Sequence, residues 1–258
     1  MSRQNAHRNI HRFHVPHLSA PRVALPTDEA HHARGVLRLQ ADSEVELFDG
    51  NGKATCGRIE QLTRREVVVA VGPITQVHRI GPEVHLAFAV PKGRRLGWLL
   101  EKATELGAAG LRPVRFTRSV AGKGSPLTAE HRRRWLSHCL AAAKQSGLNF
   151  LPEMPQPHDP LPLEQYLAET GSDRSASAIR LLGDTANDSV PLAESLQGKT
   201  LTRPAAIHAL IGPEGGLTDT ERAAALAAGF VPVRIGQTVL RVETAAIALL
   251  AGTSVLAK

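Results

Sequence analysis

An apolar run from Ala205 to Ile211, broken only by His208, feeds directly into Gly212-Pro213-Glu214-Gly215-Gly216-Leu217 and then into Thr218-Asp219-Thr220-Glu221. Thr218 and Glu221 have capping-box spacing, which starts a helix after the loop. The segment therefore reads as strand, glycine-rich loop, helix, the repeating unit of an α/β sheet. Gly212, Gly215 and Gly216 lack a Cβ and can take positive φ, so their amides can face a bound group. No Gly-Lys-Ser/Thr follows, which excludes a Walker A loop. Nor is this the Gly-x-Gly-x-x-Gly of a dinucleotide fold. Two readings remain: a small-molecule site of another kind, or an ordinary strand-to-helix turn.

A second loop, Ile235-Gly236-Gln237-Thr238-Val239-Leu240-Arg241, also follows a strand pattern, Val231 to Ile235, and opens a helix. Ligands bind α/β sheets at the carboxyl ends of strands, and both loops are expected to leave neighbouring strands there. Arg241 and Glu243 sit just before a nearly apolar helix, Val242 to Leu256, where charges need partners. Either they pair with each other structurally or they serve a ligand. That helix is too short to span a bilayer, so it is buried, within its own domain or against a second copy of the chain.

The same alternation covers most of the chain. Strands are expected at Val84 to Val90, Leu111 to Phe116, Ala178 to Leu182 and Ala206 to Ile211. A helix is expected from Arg95 to Leu106, with Leu96, Leu99, Leu100, Ala103 and Leu106 on one stripe and Gly107 ending it. Another spans 128 to 146, with Trp135, Leu136, Cys139, Leu140 and Ala143 inward. Pro152 to Pro162 reads as a loop. Before residue 72 the pattern changes to short strands and turns. Val45 to Phe48 runs into Asp49-Gly50-Asn51-Gly52, a hairpin signal, followed by strands near Ala54 to Ile59 and Glu66 to Val71. A short helix is expected near Thr27 to Val36, capped by Thr27 or Asp28. Residues 72 to 82, with two Gly-Pro pairs, read as a linker. The domains implied are 1–75, small and β-barrel-like, and 83–258, α/β with a mainly parallel sheet.

The chain of 258 residues carries a net charge of +7, which suggests a polyanionic partner, most plausibly nucleic acid. Aromatic residues make up only 3%, too few for a reader that stacks single-stranded bases along an aromatic row, so arginine–phosphate contacts must carry more of the binding. Cys56 and Cys139 are far apart and lack metal spacing, which fits a reducing, cytoplasmic setting. His7, His11, His14 and His17 recur at helical spacing, but Pro16 interrupts them and no Cys or carboxylate joins, so no metal site is expected. No membrane span or signal peptide is expected.

Taken together, Ile211-Gly212-Pro213-Glu214-Gly215-Gly216-Leu217-Thr218-x-x-Glu221, Val239-Leu240-Arg241-Val242-Glu243-Thr244-Ala245 and Pro91-Lys92-Gly93-x-Arg95-x-x-Trp98-x-Leu100-Glu101-Lys102-Ala103-Thr104-Glu105-Leu106-Gly107, followed by Arg118-Ser119, strongly resemble the RsmE family. These are bacterial 16S ribosomal RNA uracil-N3 methyltransferases of the SPOUT class. Arg12-Phe13, Val36-Leu37-Arg38-Leu39 and Leu47-Phe48-Asp49-Gly50 are similar too. The resemblance implies a PUA-like, RNA-binding N-terminal domain and a C-terminal SPOUT α/β domain with a deep trefoil knot. It implies a homodimer acting on 16S rRNA or the small ribosomal subunit, with S-adenosylmethionine bound in the knot loops. On that basis the cofactor residues are Leu182, Gly183, Ile211, Gly212, Pro213, Glu214, Gly215, Gly216, Ile235, Gly236, Val239, Leu240 and Arg241. Arg12 is the first catalytic candidate, stabilising negative charge on the uracil from either protomer; Arg241 is the second. Glu214 either accepts the N3 proton or orients its loop. Arg22, Arg34, Arg38, Lys92, Arg94, Arg95, Arg118 and Lys123 are the RNA-docking candidates. The chain departs from the family at Leu148, where an arginine is usual; Asn149 or Lys144 is the expected substitute. Two other readings stay open: a non-catalytic RNA-binding or ribosome-assembly factor, and a SPOUT ribose 2′-O-methyltransferase.

Overall fold

The computed structural model describes residues 10–18, 21–119, 128–154, 160–171, 178–198 and 206–256. They fall into two compact units. One comprises the chain up to His78 together with Lys144–Phe150, the other Arg79–Ala143 and Leu151 onward.

The first unit is built on a six-stranded sheet. Its strands are β1 (His11–His14), β2 (Arg22–Ala24), β3 (Glu44–Phe48), β4 (Lys53–Leu62), β5 (Val67–Val71) and β6 (Thr75–Gln76). The order is β1-β3-β4-β5-β2, with β6 also on β4; β1 runs parallel to β3 and the other pairs are antiparallel. The hairpin expected at Asp49–Gly52 joins β3 to β4. Asp49 Oδ1 accepts the amides of Asn51 (2.7 Å) and Lys53 (3.0 Å). Gly52, at φ 101°, could not carry a side chain, because a Cβ would lie 2.7 Å from the Val77 carbonyl. Alternation along the strands buries Phe13, Val45, Leu47, Ile59, Val67 and Val69. Helix α1 (Thr27–His31) continues as a wide π turn through Val36. Its N-cap is Pro26, with no side-chain cap, so neither Thr27 nor Asp28 caps it. Two residues of the expected linker are β6, held to β4 by the sheet.

The second unit alternates as the sequence suggests. Its strands are β7 (Glu83–Ala89), β8 (Gly110–Arg115), β9 (Leu161–Pro162), β10 (Ile179–Gly183), β11 (Val190–Pro191), β12 (Ala206–Ile211) and β13 (Val231–Arg234). The helices are α2 (Arg95–Glu105), α3 (Ala129–Ser146, whose last residues group with the first unit), α4 (Leu163–Gly171), α5 (Leu192–Leu196), α6 (Asp219–Ala227) and α7 (Val242–Leu256). The sheet order is β11-β13-β10-β12-β7-β8-β9, and every pairing is parallel. One expectation changes: β12 and β13 are not neighbours, because β10 lies between them. The parallel sense still sends both loops to the same edge, where the loop after β10, which begins at the cofactor candidate Gly183, joins them.

Helix α2 buries Leu99, Leu100 and Ala103 from the expected stripe, with Leu96 and Leu106 partly covered, and Gly107 at φ 79° ends it. Helix α7 has the predicted limits but is not buried all round. Val242, Ala246, Leu249, Leu250 and Thr253 are inward, with α2 and α5 among the elements packed against the helix; Thr244 and Val255 lie exposed on its other side. None of the described helices is long and apolar enough to cross a membrane.

Candidate active site

At the carboxyl edge of the second unit's sheet the loops after β10, β12 and β13 enclose a cleft. It is lined by Gly183, Asp184 and Thr185 from the first, Ile211 to Glu214 with Gly216 and Leu217 from the second, and Ile235, Gly236, Thr238, Val239 and Leu240 from the third. Arg234, Val242 and Ala245 complete the lining.

Each wall is set by local sequence. The glycine-rich loop turns through a Gly216 N–H donating to the Pro213 carbonyl (2.8 Å), with Gly216 at φ 69°. Gly216 alone of the three loop glycines uses the left-handed region; Gly212 is required for another reason, since a Cβ there would lie 2.3 Å from Leu217 Cδ1. Thr218 then caps α6 in a full capping box: its hydroxyl accepts the Glu221 amide (3.2 Å), and Glu221 Oε2 accepts the Thr218 amide (2.8 Å). Glu221 Oε1 also accepts the amide of Thr117, in the loop after β8, at 2.6 Å. Burial raises the Glu221 carboxyl, but hydrogen bonds from Thr218 and Thr117 outweigh it and hold the group below the usual carboxylate range. In the loop after β10 Asp184 Oδ2 accepts from Arg222 Nε of α6 (2.7 Å), and Arg222 also donates to Asp188 (2.7 Å).

Two arginines brace the glycine loop from outside. Arg95 Nη1, on the first turn of α2, lies 3.0 Å from Glu214 Oε1 and 3.6 Å from Glu243 Oε1. Glu243 is buried and its Oε2 has no hydrogen-bond partner. Arg118 Nη1 donates to the carbonyls of Gly215 (3.0 Å) and Leu217 (3.2 Å). Of the two readings left open for Arg241 and Glu243, their mutual pairing does not occur: Glu243 meets Arg95, while Arg241 is exposed and has no side-chain partner among the described residues.

The other anticipated residues sort by geometry. Of the cofactor candidates, Leu182 lies fully buried in the strand core, and Gly215 and Arg241 stand beside the cleft rather than lining it. Arg12 is in the first unit with its side chain 8% exposed. Its Nε donates to Glu46 Oε2 (3.0 Å), Nη1 to the Leu148 carbonyl (3.1 Å) and Nη2 to Asn149 Oδ1, and its guanidinium stacks 4.6 Å from the Phe48 ring centroid. Neither expected substitute for the missing arginine is free, since Asn149 is held by Arg12 and Lys144 Nζ pairs with the buried Glu29. Among the RNA candidates Arg22 pairs with Glu60, and Arg34 donates to the Thr63 carbonyl. Arg38, at φ 53°, is exposed, as are Lys92 and Arg94, and none has a side-chain partner among the described residues. Lys123 lies outside the described residues. Sequence reasoning missed Thr185, Leu217, Arg234, Thr238, Val242 and Ala245 as lining residues; all but Ala245 lie within two residues of a named one.

The cleft suits a small ligand with both apolar and polar parts. Leu217, Ile235, Val239 and Leu240 supply an apolar wall, and loop backbone, Thr185 and Thr238 supply polar groups. The close Gly212–Leu217 approach leaves that wall in place only because no Cβ intervenes.

Residues 79–254 match the family described as RNA methyltransferase domain, and residues 25–71 match the RNA methyltransferase PUA domain. Among curated proteins the chain is 31% identical to a ribosomal RNA small subunit methyltransferase E from Synechocystis, over 86% of this chain and 69% of that one. It is 27% identical to the protein of the same name from Bacillus subtilis, over 91% and 90%. Among solved structures, a ribosomal RNA small subunit methyltransferase E from Neisseria gonorrhoeae bound to S-adenosyl methionine superposes with a TM-score of 0.81, at 27% identity, over 96% of this chain and 98% of that chain.

Proposed function

We propose that this chain, which belongs to the RNA methyltransferase family that includes ribosomal RNA small subunit methyltransferase E, transfers the methyl group of S-adenosylmethionine to N3 of a uridine in 16S rRNA. The observation that carries this reading is the cleft of three loops on one sheet edge, in a chain similar over 96% of its length to a methyltransferase solved with that cofactor. Gly183, Gly212, Pro213, Gly216, Ile235, Gly236, Val239 and Leu240 would hold the cofactor. When bound it supplies an electrophilic methyl on a sulfonium.

The protein's own contribution is alignment and charge. Loss of the N3 proton spreads negative charge onto O2 and O4 of uracil. A guanidinium stays protonated and can stabilise that charge but cannot be the base. Arg241, exposed beside the cleft and without a side-chain partner among the described residues, suits this role better than Arg12, whose donors are used within the first unit. Glu214 is committed to Arg95, which favours an orienting role for it over proton acceptance. In the first unit Arg38, and in the second Lys92 and Arg94, are the cations best placed to meet phosphate. The strand order, with β13 inserted between β10 and β11, supports the trefoil knot. The uncovered side of α7, with Val255 74% exposed, supports a homodimer through that face. A cytoplasmic location follows from the substrate.

Mass spectrometry of 16S rRNA from a strain lacking the gene tests the reading. Loss of 3-methyluridine is expected. Loss of a ribose methyl instead would make this a 2′-O-methyltransferase, and an unchanged rRNA with no S-adenosylmethionine binding by calorimetry would leave a non-catalytic RNA-binding factor.

A further inference from the structure

Two of the eight basic residues that sequence assigns to RNA, the half-buried Arg95 and the exposed Arg118, spend donors on the glycine-rich loop of the cleft. Gly212 to Leu217 contains three glycines in six residues, and glycine loses more conformational freedom on ordering than any other residue. Such a loop is a poor receptor unless something fixes it before the ligand arrives. The capping box fixes its far end at Thr218, which leaves the stretch around Glu214 and Gly215 to be held from elsewhere. Arg118 takes two of its carbonyls with one nitrogen, and Arg95 takes the Glu214 carboxylate from the opposite side in sequence. Arg95 Nη1 also lies 3.6 Å from Oε1 of the buried Glu243, at the start of α7. One guanidinium thus ties together the segments that follow β7, β12 and β13.

We infer that Arg95 and Arg118 are positioning residues for the Gly212–Leu217 loop and set the affinity for the methyl donor, not for RNA. The inference rests on the proposed methyltransferase reading. It follows that the two kinds of arginine in this protein are distinguished by their partners: Arg38 and Arg94 are left for phosphate, Arg95 and Arg118 are used by the fold at the site.

The test is calorimetry with S-adenosylmethionine and filter binding of a 16S rRNA fragment across a salt series, on the full chain and its Arg95→Gln, Arg95→Lys, Arg118→Gln and Glu214→Gln variants. Arg95→Gln and Arg118→Gln are expected to weaken cofactor binding about tenfold, the equivalent of one charge-assisted hydrogen bond. KM for the cofactor should rise in parallel while kcat at saturating cofactor stays within about threefold, because a preorganised loop acts on binding. Arg95→Lys should recover part of the affinity. Arg95→Gln combined with Glu214→Gln should be no worse than the weaker-binding single variant, since each removes the same contact. RNA affinity and its salt slope should not change. If cofactor affinity is unchanged while the salt slope falls by about one, the arginines are phosphate contacts and the inference fails. A drop in cofactor affinity that only tracks a loss of folded protein by circular dichroism also overturns it. Failure of the wild-type chain to bind the cofactor would instead overturn the functional reading beneath it.

Discussion

Replacing Glu221 by alanine removes a carboxylate that joins the start of α6 to the segment after β8, so its cost can be worked from the contacts. The capping box contributes through the Thr218 amide and hydroxyl, at 2.8 and 3.1 Å, and losing such a cap costs about 1 kcal/mol. The Thr117 amide, at 2.6 Å, is a charge-assisted bond to a segment 104 residues away in sequence. Bonds of this kind are worth about 1.5–3 kcal/mol, and the lower end applies here because water can reach the partly exposed site. The sum is about 2.5 kcal/mol at neutral pH, or roughly 5–10 °C in Tm for a unit of this size. The dependence on pH gives an independent check. The folded carboxyl titrates below its unfolded value, so its stabilisation is complete above the unfolded pKa and disappears as pH falls through the folded one. Urea unfolding can be followed by tryptophan fluorescence, since both tryptophans, Trp98 and Trp135, lie in this unit. The gap between wild type and Glu221→Ala should be constant from neutral pH down to about pH 5 and close in stronger acid. A gap below about 1 kcal/mol, or one that persists unchanged to pH 3, would falsify the account of this carboxylate.

Arg12→Ala should destabilise the first unit by about 2–3 kcal/mol, because it strands Glu46 and frees the Leu148–Asn149 turn; a double-mutant cycle with Glu46→Ala showing no coupling would contradict this. Arg241→Ala should lower the single-turnover rate at saturating cofactor by about 10²-fold, with stability within about 0.5 kcal/mol of wild type. A normal rate would remove Arg241 from the chemistry. Gly216→Ala places a side chain at φ 69° and should cost about 1–2 kcal/mol and weaken cofactor binding, read by calorimetry. His14 titrates below its ordinary value because burial disfavours its charged form, outweighing Asp49 and Glu29. Its stabilisation is therefore present above the unfolded pKa near 6.5 and is lost as pH falls toward the folded value. His14→Phe should flatten the stability profile of the first unit as pH falls below the unfolded pKa near 6.5, and an unchanged slope there would show that another group titrates.

What could be read from sequence was what depends on local pattern. The strand–loop–helix unit at Ala206–Ala227, the hairpin at Asp49–Gly52 and the limits of α7 each rest on residues within one turn or one pleat of each other. Strand order does not. Nothing in the sequence of β10, β12 and β13 tells which neighbour each will have, so the placement of β10 between the other two came only with the structure. The two-residue strands β9 and β11 carry too few residues for a period, and α5 is a single short stretch after a proline. Positive φ at Gly216 but not at Gly212 or Gly215 has the same origin: each glycine permits the left-handed region, and the surrounding chain decides which one uses it.

The arginines show the limit most clearly, because residue type gives the charge and not the partner. Arg12, Arg95 and Arg118 belong to the motifs that mark this family, and motif membership alone suggested contact with RNA or substrate. Their hydrogen bonds give them a different job. Arg12 uses Glu46, Leu148 and Asn149 within the first unit. Arg95 and Arg118 use Glu214, Gly215 and Leu217 at the cleft. A guanidinium with five directed donors is well suited to gather carbonyls and carboxylates from distant segments, which lysine does less well. The positive charge needed to meet rRNA must then come from cations that the fold leaves exposed and unpaired, such as Arg38, Lys92, Arg94 and Arg241. A basic composition therefore does two jobs in this chain. Only the second should weaken with salt, because only exposed cations displace counterions from a phosphate backbone.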